Sequence, residues 1–423
     1  MPLIWNSTTN TWQNDLVTQQ TASFAAGSAL GQPYSRQDLF GVGLVAQKSS
    51  VVELKPNYGL SILRDNITVN GATYTSGAYA DEVNGEIQLA STATANDSII
   101  LESAQRGVYI AGRSAELGIG VRVPVLPVGT QELRWGLFDN TNGFYFGVDA
   151  TGLFVAIRRS GIVTKIYQSS WNGDKANGAG ASGLSLNLAQ GSIFQIVFNW
   201  YGFGPIHFIA NINDANGVGR LVTLHRFTPS SQTSVIDPNL PIRAEIANGS
   251  TATAINLYVA GRQYSILGLL QPQTRITSEY VFGIATSPTI LPILSFRRKS
   301  TFRGRSNTVS CSVLGMDASA KGQDNFVQLR VGGTIGGGTW GTPSDYGATE
   351  TCLESNIAPT SLTGGSPLSS VIIAAGTRTV ERVAGTRFTL PVALPAGLPI
   401  TLMARTTTGN GTLNVLLHME EYW

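Results

Sequence analysis

Few side chains in this sequence are of the types that perform nucleophilic or acid–base chemistry. The 423 residues include three histidines, His207, His225 and His418. His207 and His225 fall within predicted strands, where a histidine is more often a wall residue than a catalyst, because catalytic groups concentrate on loops. The sequence contains no Gly-x-Ser-x-Gly, His-Glu-x-x-His or Walker lysine motif. We therefore expect no enzyme, no cofactor and no metal site.

Paired carboxylates are the one catalytic arrangement that the sequence leaves open. Glycoside hydrolysis needs two acids about 5–10 Å apart. Asp139 and Asp149 flank a predicted hairpin, and Glu116 and Glu132 lie nearby in the chain. Asp is also the residue that turn chemistry favours at these two positions. A polysaccharide depolymerase is therefore kept only as the third hypothesis for function.

Positive charge is concentrated in one segment, which contains Arg297, Arg298 and Lys299, followed by Arg303 and Arg305. Such a group of cations suits contact with an acidic neighbouring subunit. The alternative is a solvated linker at a domain boundary. We interpret the first three residues as candidate contacts to a partner.

Aromatic residues provide two further sets of candidates. Trp171, Trp200 and Tyr201 could stack on sugar rings, although Trp200 ends a predicted strand and could equally belong to the core. The chain ends carry the second set, which we interpret as partner contacts because Tyr and Trp dominate interface energetics. Its members are Trp5, Trp12, Tyr422 and Trp423. The alternative for both ends is that they fold back onto the chain's own sandwich.

Composition restricts the class of protein. Charged residues form 13% of the chain, about half of the usual 25%, and Gly, Ser, Thr and Asn replace them. A net charge of +2 does not favour nucleic-acid binding, and no apolar stretch approaches the length of a membrane span. We therefore expect neither a nucleic acid nor a membrane as a partner. Cys311 and Cys352 are too few for a disulfide scaffold, and buried free thiols are the expectation.

Turns and short apolar runs predict an all-β chain. The segments 132–138, 144–148 and 153–157 are separated by Asp-containing turns that end in Gly143 and Gly152, which are strong hairpin signals. Further strands are predicted at 193–200, 206–212 and 221–227. We predict an N-terminal arm (1–37), a large antiparallel β-sandwich of jelly-roll type (38–287) and a smaller C-terminal β domain (288–423).

The segment from Arg106 to Phe227 resembles the β-sandwich segments of phage and viral structural proteins, with a jelly roll like the concanavalin- and laminin-G-like lectin domains. The resemblance is carried by 106–109, 134–139, 142–147, 153–159 and 194–204. It implies particle assembly or surface display, as a tail, baseplate, head-fibre or capsid-decoration component. The sugar- and calcium-binding acids of true lectins have no clear equivalents in this sequence.

Two main hypotheses follow for function. The first is a structural protein of a tailed-bacteriophage virion, assembled in the host cytoplasm and acting through subunit contacts. Its partners would be copies of itself, as a homo-oligomer such as a trimer, and other virion proteins. The second is a glycan-binding module that recognises a host surface glycan.

Overall fold

The structure is a computed structural model, and it describes residues 3–6, 11–14, 48–61, 63–268, 274–376, 381–382 and 397–422. Residues 1–47 form one compact unit and 48–423 a second. The first unit contains an antiparallel hairpin of β1 (Leu3–Asn6) and β2 (Thr11–Asn14), in which the backbone of Trp5 is opposite that of Trp12. The remainder of the predicted arm, and the side chains of both tryptophans, lie outside the described residues.

The second unit begins with a large sandwich of antiparallel sheets, which agrees with the predicted all-β class. Its strands in chain order are β3 (Lys48–Leu54), β4 (Asp65–Val69), β5 (Ala72–Tyr74), β6 (Ala80–Val83), β7 (Glu86–Ala90), β8 (Ser98–Arg106), β9 (Ser114–Arg122), β10 (Glu132–Phe138), β11 (Gly143–Asp149), β12 (Gly152–Arg159), β13 (Ile162–Tyr167), β14 (Ser192–Phe198), β15 (Ile206–Asn213), β16 (Gly219–Phe227), β17 (Pro241–Ala247) and β18 (Asn256–Leu267). Short 3-10 helices span Pro56–Tyr58, Gln168–Ser170 and Leu188–Gln190.

These strands form two sheets that share one core. Sheet 1 has the order β13-β12-β11-β10-β17-β8-β4-β5, and sheet 2 has the order β16-β15-β14-β9-β18-β7-β6, with β3 also paired to β18. Alternation along each strand directs every second side chain inward. Trp135 and Phe146 of sheet 1 thereby meet Phe194 of sheet 2, with ring centroids 5.1 and 4.8 Å from it. All three side chains are fully buried.

A smaller sandwich follows and has its own buried core. Its strands are β19 (Thr274–Thr286), β20 (Leu291–Arg298), β21 (Thr301–Phe302), β22 (Arg305–Ser306), β23 (Ser310–Lys321), β24 (Asn325–Val331), β25 (Thr334–Gly336), β26 (Leu353–Asn356), β27 (Ser361–Thr363), β28 (Ser366–Ile373), β29 (Glu381–Arg382), β30 (Ile400–Thr406) and β31 (Gly411–Tyr422). Sheet 3 has the order β19-β31-β23-β29, and sheet 4 has the order β26-β20-β30-β24-β28.

The strand β19 belongs to this second sandwich. It pairs with the last strand, β31, from Thr274 opposite Tyr422 to Thr286 opposite Gly411. The division of the chain at 287 remains a prediction, but the sheet pairing places 274–286 with the C-terminal strands. Sequence patterns did not indicate this, because the two paired strands are separated by most of the second sandwich.

The last strand occupies an interior position, since β31 pairs with β19 on one side and with β23 on the other. Tyr422 is therefore part of a sheet ladder, and its hydroxyl donates to Glu420 Oε2 at 2.7 Å. This arrangement corresponds to the alternative in which the C-terminus folds back onto its own sandwich. Trp423 lies outside the described residues. Among the residues described, none of the helices has the length and apolar character needed to span a membrane.

Candidate functional site

Two large aromatic side chains protrude from the loop that joins β14 to β15. Tyr201 is 55% exposed and Phe203 is 59% exposed. Trp200, immediately before them, is only partly exposed and packs against the core. We refer to residues 200–204 as the aromatic loop. Of the three aromatic residues that the sequence suggested as glycan contacts, Tyr201 is the one with a largely open ring.

Hydrogen bonds fix the aromatic loop to its neighbours. The amide of Tyr201 donates to Tyr109 Oη at 3.0 Å, and the carbonyl of Gly202 accepts from Ser234 N at 2.9 Å. The indole of Trp200 donates to the Val235 carbonyl at 3.2 Å, and its ring lies edge-on to Tyr109, 5.5 Å between centroids. Burial raises the pKa of Tyr109, so its hydroxyl stays protonated. These contacts fix the first three residues of the loop to the neighbouring segments.

Backbone geometry in the loop is strained. Tyr201 has a φ of +31°, a region that non-glycine residues enter at a cost of about 1–3 kcal/mol. Gly204 approaches the preceding strand so closely that a Cβ added to it would lie 1.6 Å from the carbonyl oxygen of Asn199. Strain that the surrounding structure maintains is characteristic of ligand-contacting loops.

Polar groups lie beside the aromatic loop at Gly202. Thr233 lies against Gly202, because a Cβ added to that glycine would be 2.7 Å from Thr233 Cγ2. Arg159 Nε donates to the Thr233 carbonyl at 2.8 Å, which brings a guanidinium next to the loop. The surface therefore combines two aromatic faces with hydroxyl, carbonyl and guanidinium groups.

Trp171 does not contribute to this surface. Its side chain is 4% exposed, belongs to the core of the first sandwich, and donates its indole hydrogen to the Ile166 carbonyl at 3.0 Å. No face of its ring is open to a sugar. Sequence reasoning could not distinguish it from Tyr201, because both follow strands in loops rich in Gly and Asn.

The carboxylates suggested for glycoside hydrolysis are distributed over different surfaces. Glu132 and Asp149 both accept from Lys165 Nζ on the outer face of sheet 1, at 2.8 and 3.0 Å. Burial acts to raise the pKa of Asp149, but hydrogen bonds from Lys165 and Tyr167 outweigh it, and the pKa is lowered. Glu116 pairs with Lys48 on sheet 2. One ammonium thus holds both Glu132 and Asp149, and Asp149 with its lowered pKa is not suited to donate a proton.

The carboxylate of Asp139 is hydrogen-bonded within its own turn. Its Oδ1 accepts from the amides of Thr141 and Asn142, each at 2.8 Å, and its Oδ2 accepts from Arg106 at 2.9 Å. Burial opposes ionisation, but Arg106 and these hydrogen bonds lower its pKa overall. Nearby, burial raises the pKa of Glu102, which accepts from Arg243 at 3.0 Å. All of these acids have basic or backbone partners, and the arrangement resembles a structural ion-pair layer.

His418 participates in a hydrogen-bonded chain that the sequence did not indicate. Its Nδ1 lies 2.7 Å from Ser278 Oγ and its Nε2 lies 3.3 Å from Asp317 Oδ2, across three neighbouring strands. A serine hydrolase also needs donors for an oxyanion. The amide of Ser278 already donates to Tyr346 Oη at 2.9 Å. The three residues therefore form a polar cross-strand ladder.

The other two histidines are wall residues of sheet 2, as predicted. His207 and His225 are both buried. Burial, with a smaller contribution from Arg226, lowers the pKa of His207 to about 4. His225 Nδ1 accepts from the amide of Asn172 at 3.2 Å. Both are neutral at physiological pH.

The three cations predicted to contact a partner all have contacts within the second sandwich. Arg297 donates to Glu354 Oε1 at 2.6 Å and lies 4.2 Å from the centre of the Trp340 ring. Arg298 is buried and donates to the Val309 carbonyl at 2.8 Å. Lys299 Nζ donates to the carbonyls of Ala348 and Thr351 at 3.0 and 2.9 Å. Arg298 in particular offers no surface to a partner, and the set anchors loops of its own domain.

An exposed apolar face occurs elsewhere, on the edge strand β19. Ile276, Tyr280 and Phe282 point outward at alternate positions, and the last is 68% exposed. The rings of Tyr280 and Phe282 are in contact, with centroids 4.9 Å apart and planes tilted by 31°. Contiguous exposed apolar residues of this kind often mark an interface.

Comparison with known proteins identifies no family. No protein-family model and no curated protein matches the chain. Several solved structures are similar to about half of it. A legume lectin-like domain from Entamoeba histolytica has 11% identity and a TM-score of 0.29, covering 48% of this chain and 89% of its own. An endo-1,3-beta-glucanase from Streptomyces sioyaensis has 10% identity and a TM-score of 0.34, covering 50% and 91%.

A third similar structure is lectin I-B4 from Griffonia simplicifolia, with 9% identity and a TM-score of 0.29, covering 48% of this chain and 93% of its own. The similar structures thus include β-sandwich lectins and glucanases, and these three are not described as phage or viral proteins. Similarity at this level does not indicate what the present chain binds or whether it is an enzyme.

Proposed function

We propose that the first sandwich is a glycan-binding module and that the aromatic loop is its ligand contact. The observation that carries this proposal is the pair of exposed rings, Tyr201 and Phe203, on a loop whose backbone is hydrogen-bonded to its neighbours at Tyr201 and Gly202. Aromatic faces stack on the C–H groups of sugar rings, and a preorganised loop loses little entropy on binding. Thr233 and Arg159 would supply hydrogen bonds to sugar hydroxyls.

The proposed module binds without catalysis. The acids on sheet 1 are held by Lys165, Arg106 and Arg243, so that none is positioned as a free acid–base pair. A depolymerase would need two carboxyls facing one glycosidic bond. Release of reducing sugar from a polysaccharide that the protein binds would contradict this part of the proposal.

The test of glycan binding is an array of glycans probed with the full chain. We expect saturable binding to a restricted set of sugars, lost in Tyr201→Ala and retained in Tyr58→Ala. Tyr58 is a matched control because it is an exposed tyrosine of the same sandwich that lies outside the aromatic loop. Absence of saturable binding for the unmodified chain, or equal loss in both variants, would contradict the proposal.

As a second function we propose contact between copies of this chain through the apolar face of β19. This proposal keeps the assembly role expected from the sequence, a structural protein of a tailed-phage virion. It is supported by the exposure of Ile276 and Phe282 on one edge strand, whereas the virion location rests on the sequence resemblance alone. Sedimentation should reveal an oligomer that Phe282→Ser weakens. A monomer at all concentrations would contradict it.

A further inference from the structure

The two cysteines of this chain are adjacent in the second sandwich. Cys311 lies in β23 of sheet 3, and Cys352 immediately precedes β26 of sheet 4. Their sulfur atoms are 3.3 Å apart although 41 positions separate them in sequence. Both are buried and unbonded, as the sequence analysis expected. We propose that the pair is a modification site, in which oxidation forms a disulfide that links the two sheets.

The backbone at both positions is fixed, so the approach of the two sulfurs is a property of the fold. The Cys352 amide donates to Glu421 Oε2 at 2.9 Å, and its carbonyl accepts from Lys299 N at 3.0 Å and from Asn307 Nδ2 at 2.9 Å. Cys311 is held in the sheet ladder opposite Glu421. A disulfide requires the sulfurs to move closer by only about 1.3 Å.

The reaction is thiol–disulfide exchange with a small-molecule disulfide such as oxidised glutathione. The thiolate of one cysteine attacks the reagent, forms a mixed disulfide and releases one small thiol. The second cysteine attacks the protein sulfur of the mixed disulfide and releases the other small thiol. Two protons leave the cysteines, and the reagent accepts the two electrons.

The surroundings of the two thiols also control the rate of their oxidation. The neighbouring Cys311 sulfur, burial and the carboxylate of Glu421 raise the pKa of Cys352, so the thiolate is scarce in the folded state. Both sulfurs are shielded from reagent by the core of the second sandwich. Oxidation should therefore proceed through local opening and accelerate in urea below the unfolding transition.

The experiment treats the reduced full chain with oxidised glutathione and measures intact mass and free thiols after denaturation. We expect loss of both thiols, a mass lower by two hydrogens, and one peptide pair joined through Cys311 and Cys352. The disulfide should raise the melting temperature of the second sandwich by about 5–10 °C, and dithiothreitol should reverse the rise.

Single variants provide the chemical control. Cys311→Ser and Cys352→Ser each retain one thiol and should take up one glutathione without the rise in melting temperature. If a variant fails to fold, the unmodified chain provides the comparison, because its melting temperature can be measured before and after reduction of the disulfide. Two thiols that remain titratable after treatment in urea, or two glutathione adducts on the unmodified chain, would overturn the proposal.

Discussion

The hydroxyl oxygen of Tyr109 accepts the amide hydrogen of Tyr201 at 3.0 Å, across 92 positions of sequence. This contact fixes the residue that carries the left-handed φ at the tip of the aromatic loop. Tyr109 also packs edge-on against Trp200, so one side chain supports both the strained residue and the residue before it. The direction in which the Tyr201 ring projects therefore depends on a residue that need not touch the ligand.

Replacing Tyr109 with Phe should weaken glycan binding while leaving both exposed rings in place. The variant removes the acceptor for the Tyr201 amide, which corresponds to about 0.5–1.5 kcal/mol, together with a longer bond donated to Asn199 Oδ1 at 3.4 Å, and retains the packing against Trp200. We expect a threefold to tenfold increase in Kd by calorimetry and a fall of a few degrees at most in melting temperature. An unchanged Kd would show that the hydrogen bond does not position the loop.

Gly204→Ala should abolish glycan binding because it displaces the backbone of the aromatic loop. The added methyl group would lie 1.6 Å from the Asn199 carbonyl oxygen, so residues 200–204 must move. Gly118→Ala is the matched control, because an added Cβ at Gly118 meets nothing within 4 Å. Circular dichroism should show both variants folded, with binding lost only in the first. Retention of binding by Gly204→Ala would contradict the proposed role of the loop geometry.

Stability should fall as pH decreases from about 6.5 to 4 because of His207. Its pKa is about 4 in the folded chain and about 6.5 when unfolded. In this interval the unfolded state binds a proton that the folded state does not, so the free energy of unfolding decreases with decreasing pH. Between pH 7 and 4.5 the free energy of unfolding should fall by about 2–3 kcal/mol less in His207→Gln than in the unmodified chain. Urea titration at the two pH values measures this difference. Parallel curves for the two proteins would contradict this assignment.

Replacing only one member of the ion pair between Arg262 and Asp65 should destabilise the fold. The two side chains are nearly fully buried, and the guanidinium lies 2.7 Å from the carboxylate, between β18 of sheet 2 and the start of β4 in sheet 1. Arg262→Met leaves an unpaired buried carboxylate and should destabilise the first sandwich by about 3–5 kcal/mol. The double variant Arg262→Met with Asp65→Leu should recover much of that loss. Equal destabilisation by the single and double variants would contradict the buried-charge explanation.

Local turn chemistry explains what the sequence could predict. Asp139 accepts the amides of Thr141 and Asn142 in its turn, and Asp149 accepts the amide of Thr151. These are short-range contacts that Asp and Gly specify by themselves. The antiparallel meander β10-β11-β12 was therefore predicted correctly, as was the all-β class.

Exposure and long-range pairing could not be predicted in the same way. Trp171 is buried because its loop lies over β16, where the amides of Gly173 and Asp174 donate to the carbonyls of Leu224 and Thr223. Tyr201 is exposed because Tyr109 holds its backbone outward. The side chains of Arg297 and Lys299 are satisfied by residues 49–57 positions later. In each case the residue that determines the exposure or the contacts of the side chain is distant in sequence, so no local sequence pattern predicts it.

The measurement that tests glycan recognition by the aromatic loop most directly is a calorimetric titration with the best glycan from the array. The unmodified chain, the double variant Tyr201→Ala with Phe203→Ala, and the control Tyr58→Ala, which removes an exposed tyrosine outside the aromatic loop, should be compared at equal concentrations. Loss of two stacking rings predicts at least a hundredfold weaker binding for the double variant, with an unchanged Kd for the control. A double variant that binds within threefold of the unmodified chain, with its fold intact, would contradict recognition through Tyr201 and Phe203.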